Sequence, residues 1–286
     1  MAKIKIMVDT SADMPEELAR EKNIGIIRFI SIFGDESYVT GTELSNADFY
    51  KKLEEFGNIP KTSQTPYADM YDILLKESCE NDTVIFFTIS SKASGQYNTA
   101  NMVVEEIKES DNPNADIRIV DTLKFSAYIT KAALLAADMA EQGASADAIV
   151  EAALAEIKKW EVYILVDSLK YLEKGGRITK TSAIVGTLLD IKPVLTIRNG
   201  LIEPIEKLRG KKKIFKKLIE LIKENPDFDS ENPEFMIVQS NTDYAQQTRE
   251  ILNEEFGKEP IMEFEFGPVV GTHIGPGTLA VLFKLK

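Results

Sequence analysis

The segment Ser90-Ser91-Lys92-Ala93-Ser94-Gly95-Gln96-Tyr97 is the first place where this chain can do anion chemistry. It follows the apolar run Val84-Ile85-Phe86-Phe87 and precedes a helical pattern. A Ser- and Gly-rich strand-to-helix turn presents hydroxyls and backbone amides to a carboxylate or a phosphate. The turn has neither the Gly-x-Ser-x-Gly spacing of a nucleophile elbow nor the Lys-Ser/Thr ending of a P-loop. The same residues read equally well as a hydroxyl-capped helix. Thr62-Ser63-Gln64-Thr65 is the second place. Thr65 before Pro66 reads as a helix cap with a first-turn proline, which leaves the Thr62 and Ser63 hydroxyls for a ligand. The third is Gly267 to Thr278, where four glycines and two prolines surround His273, the one histidine of the chain. So specific a backbone can set a ring nitrogen within reach of a ligand.

Other segments read more plainly. Asp9-Thr10-Ser11-Ala12-Asp13 follows the first strand, and Ser11 or Asp13 can cap the next helix. Gly175-Gly176 suits a tight helix exit, with Arg177 beyond it to pair with a carboxylate, in a structural salt bridge or on a ligand. Asn199-Gly200 between Leu195–Arg198 and Leu201-Ile202 is a hairpin signal. Lys207, Arg209, Lys211, Lys212, Lys213, Lys216 and Lys217 form a basic run in an acidic chain. It is either a solvated face balanced by Glu203, Glu206 and Glu220 or a docking patch for an acidic protein or an anionic membrane.

These segments are held by an alternation of short apolar runs and longer amphipathic ones. Strand patterns fall at Ile4–Val8, Ile24–Phe33, Thr83–Thr88, Ile117–Val120, Val162–Val166, Pro193–Ile197, Phe235–Val238, Met262–Phe266 and Leu279–Leu285. Their Val-, Ile- and Phe-rich, non-alternating character suits strands covered on both faces. Helical patterns lie between them, the clearest at Ala47–Phe56, Tyr67–Glu77, Gln96–Lys108, Phe125–Gln142, Ala146–Lys158 and Tyr244–Phe256. The fold class expected is α/β, with two α/β domains, largely parallel sheets and a boundary near 160 (1–160 and 161–286). Ala183–Leu189 reads as core, or as a helix that opens.

Composition narrows the function classes. With 34 Lys and Arg against 46 Asp and Glu in 286 residues, the net charge is −12, which disfavours nucleic-acid binding. No apolar stretch reaches the ~18 residues that span a bilayer. Cys79 is the single cysteine, so no intrachain disulfide can form. One Cys and one His make a zinc site improbable. The first residues run straight into a strand pattern with no secretory signal, and the localisation expected is a reducing cytoplasm.

Taken in order, Val8 to Asp13, Thr62-Ser63-Gln64, Ser90 to Tyr97, Val120-Asp121-Thr122, Leu172 to Ile178, Lys192 to Leu195 and Gly271 to Gly277 resemble the DegV family of bacterial fatty-acid-binding proteins. The resemblance covers nearly the whole chain. It implies one long-chain fatty acid, palmitate- or oleate-like, bound between or within the two domains, and no other cofactor or metal. It carries carboxylate contacts onto Thr62, Ser94 and His273, with Ser63 and Gly95 beside them and Arg209 as a basic residue after the hairpin. It also implies a carrier rather than an enzyme. Such a carrier presents its ligand to a partner fatty acid kinase, which makes an acyl phosphate for phospholipid synthesis.

Elementary energetics allow such a ligand. Fourteen methylenes at ~0.8 kcal/mol each give roughly 11 kcal/mol of gross transfer free energy, from which association and ordering subtract. The carboxylate needs partners, and hydrogen bonds to it contribute ~1.5–3 kcal/mol each. Rival readings are a hydrolase built on Ser94 and His273, a nucleotide-binding phosphotransferase, and a regulatory protein that needs lipid to fold.

Overall fold

Strand β1 (Ile4–Asp9) opens the chain and leads through a 3₁₀ turn (Thr10–Ala12) to α1 (Glu16–Glu21). The computed structural model describes residues 2–179, 191–210, 213–240 and 242–286. Ala183–Leu189, Lys211 and Lys212 lie outside the described residues. Two units emerge: Met1–Lys158 with Gly267–Val269, and Lys159–Phe266 with Val270–Lys286.

The first unit continues with β2 (Gly25–Ile27), β3 (Ile30–Phe33), β4 (Glu36–Val39), α2 (Asn46–Phe56) and β5 (Lys61–Ser63). It then alternates α3 (Tyr67–Glu80), β6 (Thr83–Thr88), α4 (Gln96–Ser110) and β7 (Ile117–Asp121), and ends in α5 (Ala127–Glu141) and α6 (Ala146–Lys158). Among the described residues, β2-β1-β6-β7 form a parallel sheet, as the apolar runs lead one to expect. All six residues of β6 are buried, which is why this strand does not alternate. Met70 and Leu74 of α3 and Val103 and Ile107 of α4 pack with Val84, Phe86 and Met7 in one core. The five buried alanines of α5 between Ala127 and Ala137 let that helix lie close on α6 and β1.

The single strand expected over Ile24–Phe33 is two. β2 joins the parallel sheet, whereas β3 joins an antiparallel sheet of order β4-β3-β5. That small sheet carries Thr62 on β5.

The second unit runs β8 (Trp160–Leu165), α7 (Lys170–Gly175), β9 (Ile191–Arg198), β10 (Leu201–Arg209) and α8 (Ile214–Lys223). It finishes with β11 (Phe235–Gln239), α9 (Thr242–Phe256), β12 (Met262–Glu265), α10 (Pro268–Ile274) and β13 (Leu279–Lys284). Its sheet, β10-β9-β8-β13-β11-β12, is mixed. Among the described strands of this sheet, β11 and β12 pair in parallel as expected, and the other neighbours run antiparallel. Two features cause this. Asn199 (φ 51°) and Gly200 (φ 81°) fold β9 onto β10 as a hairpin. The last strand, β13, inserts between β8 and β11 against their direction.

Helix α8 buries Ile214, Phe215, Leu218, Ile219 and Ile222 against this sheet's core. Its lysines face outward, and Glu255 of α9 accepts both Lys216 (3.6 Å) and Lys223. Of the basic run, Lys216 is thus paired within the unit, by Glu255 rather than by Glu203, Glu206 or Glu220.

Candidate functional site

Parallel pairing sets the carboxyl ends of β1, β6 and β7 side by side, with Val8 opposite Phe87 and Thr88 opposite Asp121. Asp9, fully buried, ends β1. Its Oδ1 accepts from the Ser11 amide at 3.0 Å and from the Ser11 hydroxyl, and its Oδ2 accepts from the Ile89 amide at 2.8 Å. Burial pushes the Asp9 carboxyl up to about 6, although these hydrogen bonds favour its charged form. Asp121 ends β7, and its Oδ1 accepts from the amides of Ser91 (3.1 Å) and Leu123 (3.1 Å).

The turn between β6 and α4 is tightly knit. The Ser90 amide donates to the Lys124 carbonyl at 3.0 Å. The Lys92 amide donates to the Ser90 hydroxyl at 3.2 Å, and the amides of Ala93 (3.0 Å) and Ser94 (3.1 Å) donate to the Ser90 carbonyl. The Ser94 hydroxyl accepts from the Gln96 amide at 3.3 Å. Ser94 thus touches the first residue of α4 from one position before its cap, Gly95, which has no side-chain cap of its own. An amide cradle does not form here, because the amides from 89 to 94 are engaged inside the protein. A hydroxyl that accepts through oxygen keeps its own proton to donate, so Ser94 offers a ligand one O–H beside Gly95.

Thr62 and Ser63 are brought to this turn by Gln64, Thr65 and Gln96. The Thr65 amide donates to Gln96 Oε1 (3.2 Å), and Gln96 Nε2 donates to Thr65 Oγ1 (3.0 Å). Thr65 Oγ1 donates to the Arg28 carbonyl at 2.8 Å. Thr65 is thus a tie between segments rather than the expected helix cap; α3 begins after Pro66 with no side-chain cap. Gln64 Nε2 donates to Thr99 Oγ1 at 2.6 Å, and a Cβ at Gly95 would stand 2.5 Å from Gln64 Oε1. Gly95 leaves room for that amide.

Thr62 pairs across the sheet with Ser31, so both side chains share a face. Ser31 is fully buried, and its hydroxyl has no hydrogen-bond partner among the described residues. The Ser63 hydroxyl donates to the Gln64 carbonyl at 3.2 Å. Ser126, at the start of α5, is another buried residue whose hydroxyl has no partner among the described residues; its φ is positive (60°), and its amide donates to the Ser11 carbonyl at 2.7 Å. Neither Ser11 nor Asp13 caps α1, which starts after Pro15. Asp13 Oδ1 instead accepts from the Gly267 amide at 2.8 Å.

His273 and Arg209 belong to the second unit. His273 lies on α10, so the glycine-rich segment includes a short helix. Its Nδ1 stands 2.6 Å from where a Cβ at Gly175 would be. Gly176 (φ 69°) closes α7 with its amide on the Glu173 and Leu172 carbonyls, the tight exit anticipated from sequence. Burial, followed by the charge of Arg177, pushes the imidazole down to about 4. At neutral pH it is uncharged, with one N–H donor and one acceptor nitrogen. The Arg177 guanidinium donates to the Gly175 carbonyl. The cation that acts on His273 is thus Arg177, which the sequence offered as a partner for a carboxylate of the protein or of a ligand. Arg209 is exposed at the end of β10, and its carbonyl accepts from Lys217 Nζ at 2.7 Å.

Among the described residues, no group of three or more His, Cys, Asp or Glu side chains could hold a metal ion. No helix among them is long and apolar enough to cross a membrane.

A family model described as an uncharacterised protein of the DegV family matches residues 3–286. The chain belongs to the DegV family. A DegV domain-containing protein of Halalkalibacterium halodurans is 33% identical over 293 residues, covering 100% of each chain. A fatty acid binding DegV family protein of Streptococcus agalactiae shares the fold at a TM-score of 0.86, with 32% identity and 100% of each chain covered. A Thermotoga maritima protein whose structure reveals a fatty acid binding function superposes at a TM-score of 0.83, with 31% identity and 100% of each chain covered. DegV family membership and the α/β fold therefore stand together.

Proposed function

We propose that this DegV family protein binds one long-chain fatty acid, palmitate- or oleate-like, and acts as a carrier rather than an enzyme. The observation that carries the reading is full-length similarity, at 31% and 32% identity, to two solved relatives described as fatty acid binding. The Ser94 turn supports it chemically. With its amides engaged, the turn suits a carboxylate that takes one hydroxyl better than a phosphate that needs an amide cradle. In this reading the carboxylate contacts are drawn from Thr62, Ser63, Ser94, Gly95, His273 and Arg209, and the two units are separate domains.

A neutral His273 suits this role. An uncharged N–H donor stabilises a carboxylate without withdrawing as much electron density as an ion pair. A carboxylate held by hydroxyls and an imidazole keeps an oxygen able to attack phosphorus. The finer part of the proposal is that a partner fatty acid kinase uses this in the cytoplasm. The carboxylate oxygen attacks the γ-phosphorus of ATP, ADP leaves, and the acyl phosphate stays on the carrier for phospholipid synthesis. Transient contact with an anionic membrane through the exposed lysines around α8 belongs to the same proposal.

Native and denaturing mass spectra of detergent-free protein test the binding step. A noncovalent adduct of fatty-acid mass that vanishes on denaturation is expected. A well-folded, empty chain that takes up neither palmitate nor oleate would overturn it.

A further inference from the structure

Two carboxylates outside the head-group set hold the Ser94 turn from opposite sides. Asp9 Oδ2 takes the Ile89 amide (2.8 Å), and Asp121 Oδ1 takes the Ser91 amide (3.1 Å). Asp9 belongs to β1 and Asp121 to β7, the two strands that flank β6. Both residues end their strands, so their side chains are fixed by the sheet itself. The Lys124 carbonyl takes the Ser90 amide between them (3.0 Å). Three successive amides are thus tied to elements on both sides before the chain reaches Ser94.

We propose that Asp9 and Asp121 are positioning residues that aim the Ser94 hydroxyl by clamping its turn between β1 and β7. The proposal rests on the reading of Ser94 as a carboxylate donor. Neither Asp need touch the ligand. Each removes freedom from a backbone that would otherwise swing with the loop, and a hydroxyl donor loses strength steeply as its angle departs from linear. Preorganised donors outperform mobile ones for the same reason.

The two clamps differ in a way that makes the idea testable. Asp9 uses both oxygens, Oδ1 for Ser11 and Oδ2 for Ile89. An asparagine has one acceptor oxygen, so Asp9→Asn must release one of the two loops. Asp121 places both of its amide bonds on a single oxygen. Asp121→Asn can therefore keep the clamp, and Asp121→Ala cannot.

The experiment measures Kd for palmitate and for methyl palmitate on delipidated full-length protein. The ester fills the tail pocket but lacks the charged head. Asp9→Asn and Asp121→Ala are each expected to weaken palmitate roughly tenfold while moving the ester less than about twofold. Asp121→Asn is expected to restore what Asp121→Ala loses. Equal losses for acid and ester, or no loss, would overturn the clamp. Ser94→Ala separates the two readings. If it leaves the acid-to-ester ratio unchanged, the head-group assignment fails. If it collapses the ratio while Asp9→Asn and Asp121→Ala preserve it, only the clamp fails. Should Asp9→Asn not fold by circular dichroism, the Asp121→Ala and Asp121→Asn pair decides alone.

Discussion

His273 Nδ1 lies 2.6 Å from the position that a Cβ at residue 175 would occupy, so the imidazole fills space that only glycine at 175 leaves open. Gly175 ends α7 and His273 lies on α10, two elements far apart in the chain. The glycine pair after α7 therefore has two separate reasons. Gly176 supplies the left-handed exit, and Gly175 admits the histidine.

Gly175→Ala should force the ring aside or shift the backbone. Overpacking of this kind costs about 1–3 kcal/mol. Thermal unfolding is expected to show a lowered midpoint. Because the ring moves, fatty-acid affinity should fall as well, and His273→Gln combined with Gly175→Ala should recover part of the stability.

The titration of His273 gives the protein an acid-side weakness. Its folded value of about 4 lies below the ordinary 6.5. The native state then binds fewer protons than the unfolded state between these values. This contribution to stability is complete above pH 6.5 and is lost as pH falls towards 4. It amounts to roughly 2 kcal/mol between pH 7 and pH 5. Because Asp9 titrates in the opposite sense over the same range, the loss is read as a difference: urea unfolding at the two pH values should show the wild type losing roughly 2 kcal/mol more than His273→Gln on going from pH 7 to pH 5.

Asp9 works in the opposite sense. Its folded value of about 6 lies above the ordinary 3.8, so the native state binds more protons between them. Stability is lost as pH rises from 4 through 6, by on the order of 3 kcal/mol in full. The two slopes oppose each other over pH 4 to 6. A His273→Gln protein should accordingly grow less stable with rising pH in this window, and an Asp9→Asn protein more stable. Denaturant midpoints of both variants measured every half pH unit check the signs.

Removing the two hydroxyls Thr62 and Ser94 together should weaken a fatty acid by roughly 3–6 kcal/mol, two charge-assisted hydrogen bonds at 1.5–3 each. Thr62→Ala with Ser94→Ala is also expected to abolish ATP-dependent phosphorylation of the bound acid by the partner kinase. Unchanged turnover would remove these residues from the head-group site.

Much of this protein is legible in its sequence, because hydrophobic period and turn chemistry are local. β6 and its two buried faces, the Asn199-Gly200 hairpin, the helices α4 to α6 and the Ser94 turn all follow from residues within a few positions of one another. Family resemblance reached across the chain by motif order. What the sequence did not determine is how distant segments meet. The run Ile24–Phe33 looks like one strand, yet β2 and β3 join different sheets. β13 looks like any parallel-sheet strand, yet it enters its sheet antiparallel. Asp9 and Asp121 each end an apolar strand and precede a threonine, a pattern visible in the chain. That they clamp the Ser94 turn depends on a hydrogen bond spanning 80 positions and another spanning 30. Tertiary structure alone decided those contacts, because a side chain's partner and its desolvation are set by what packs against it and not by its neighbours in sequence.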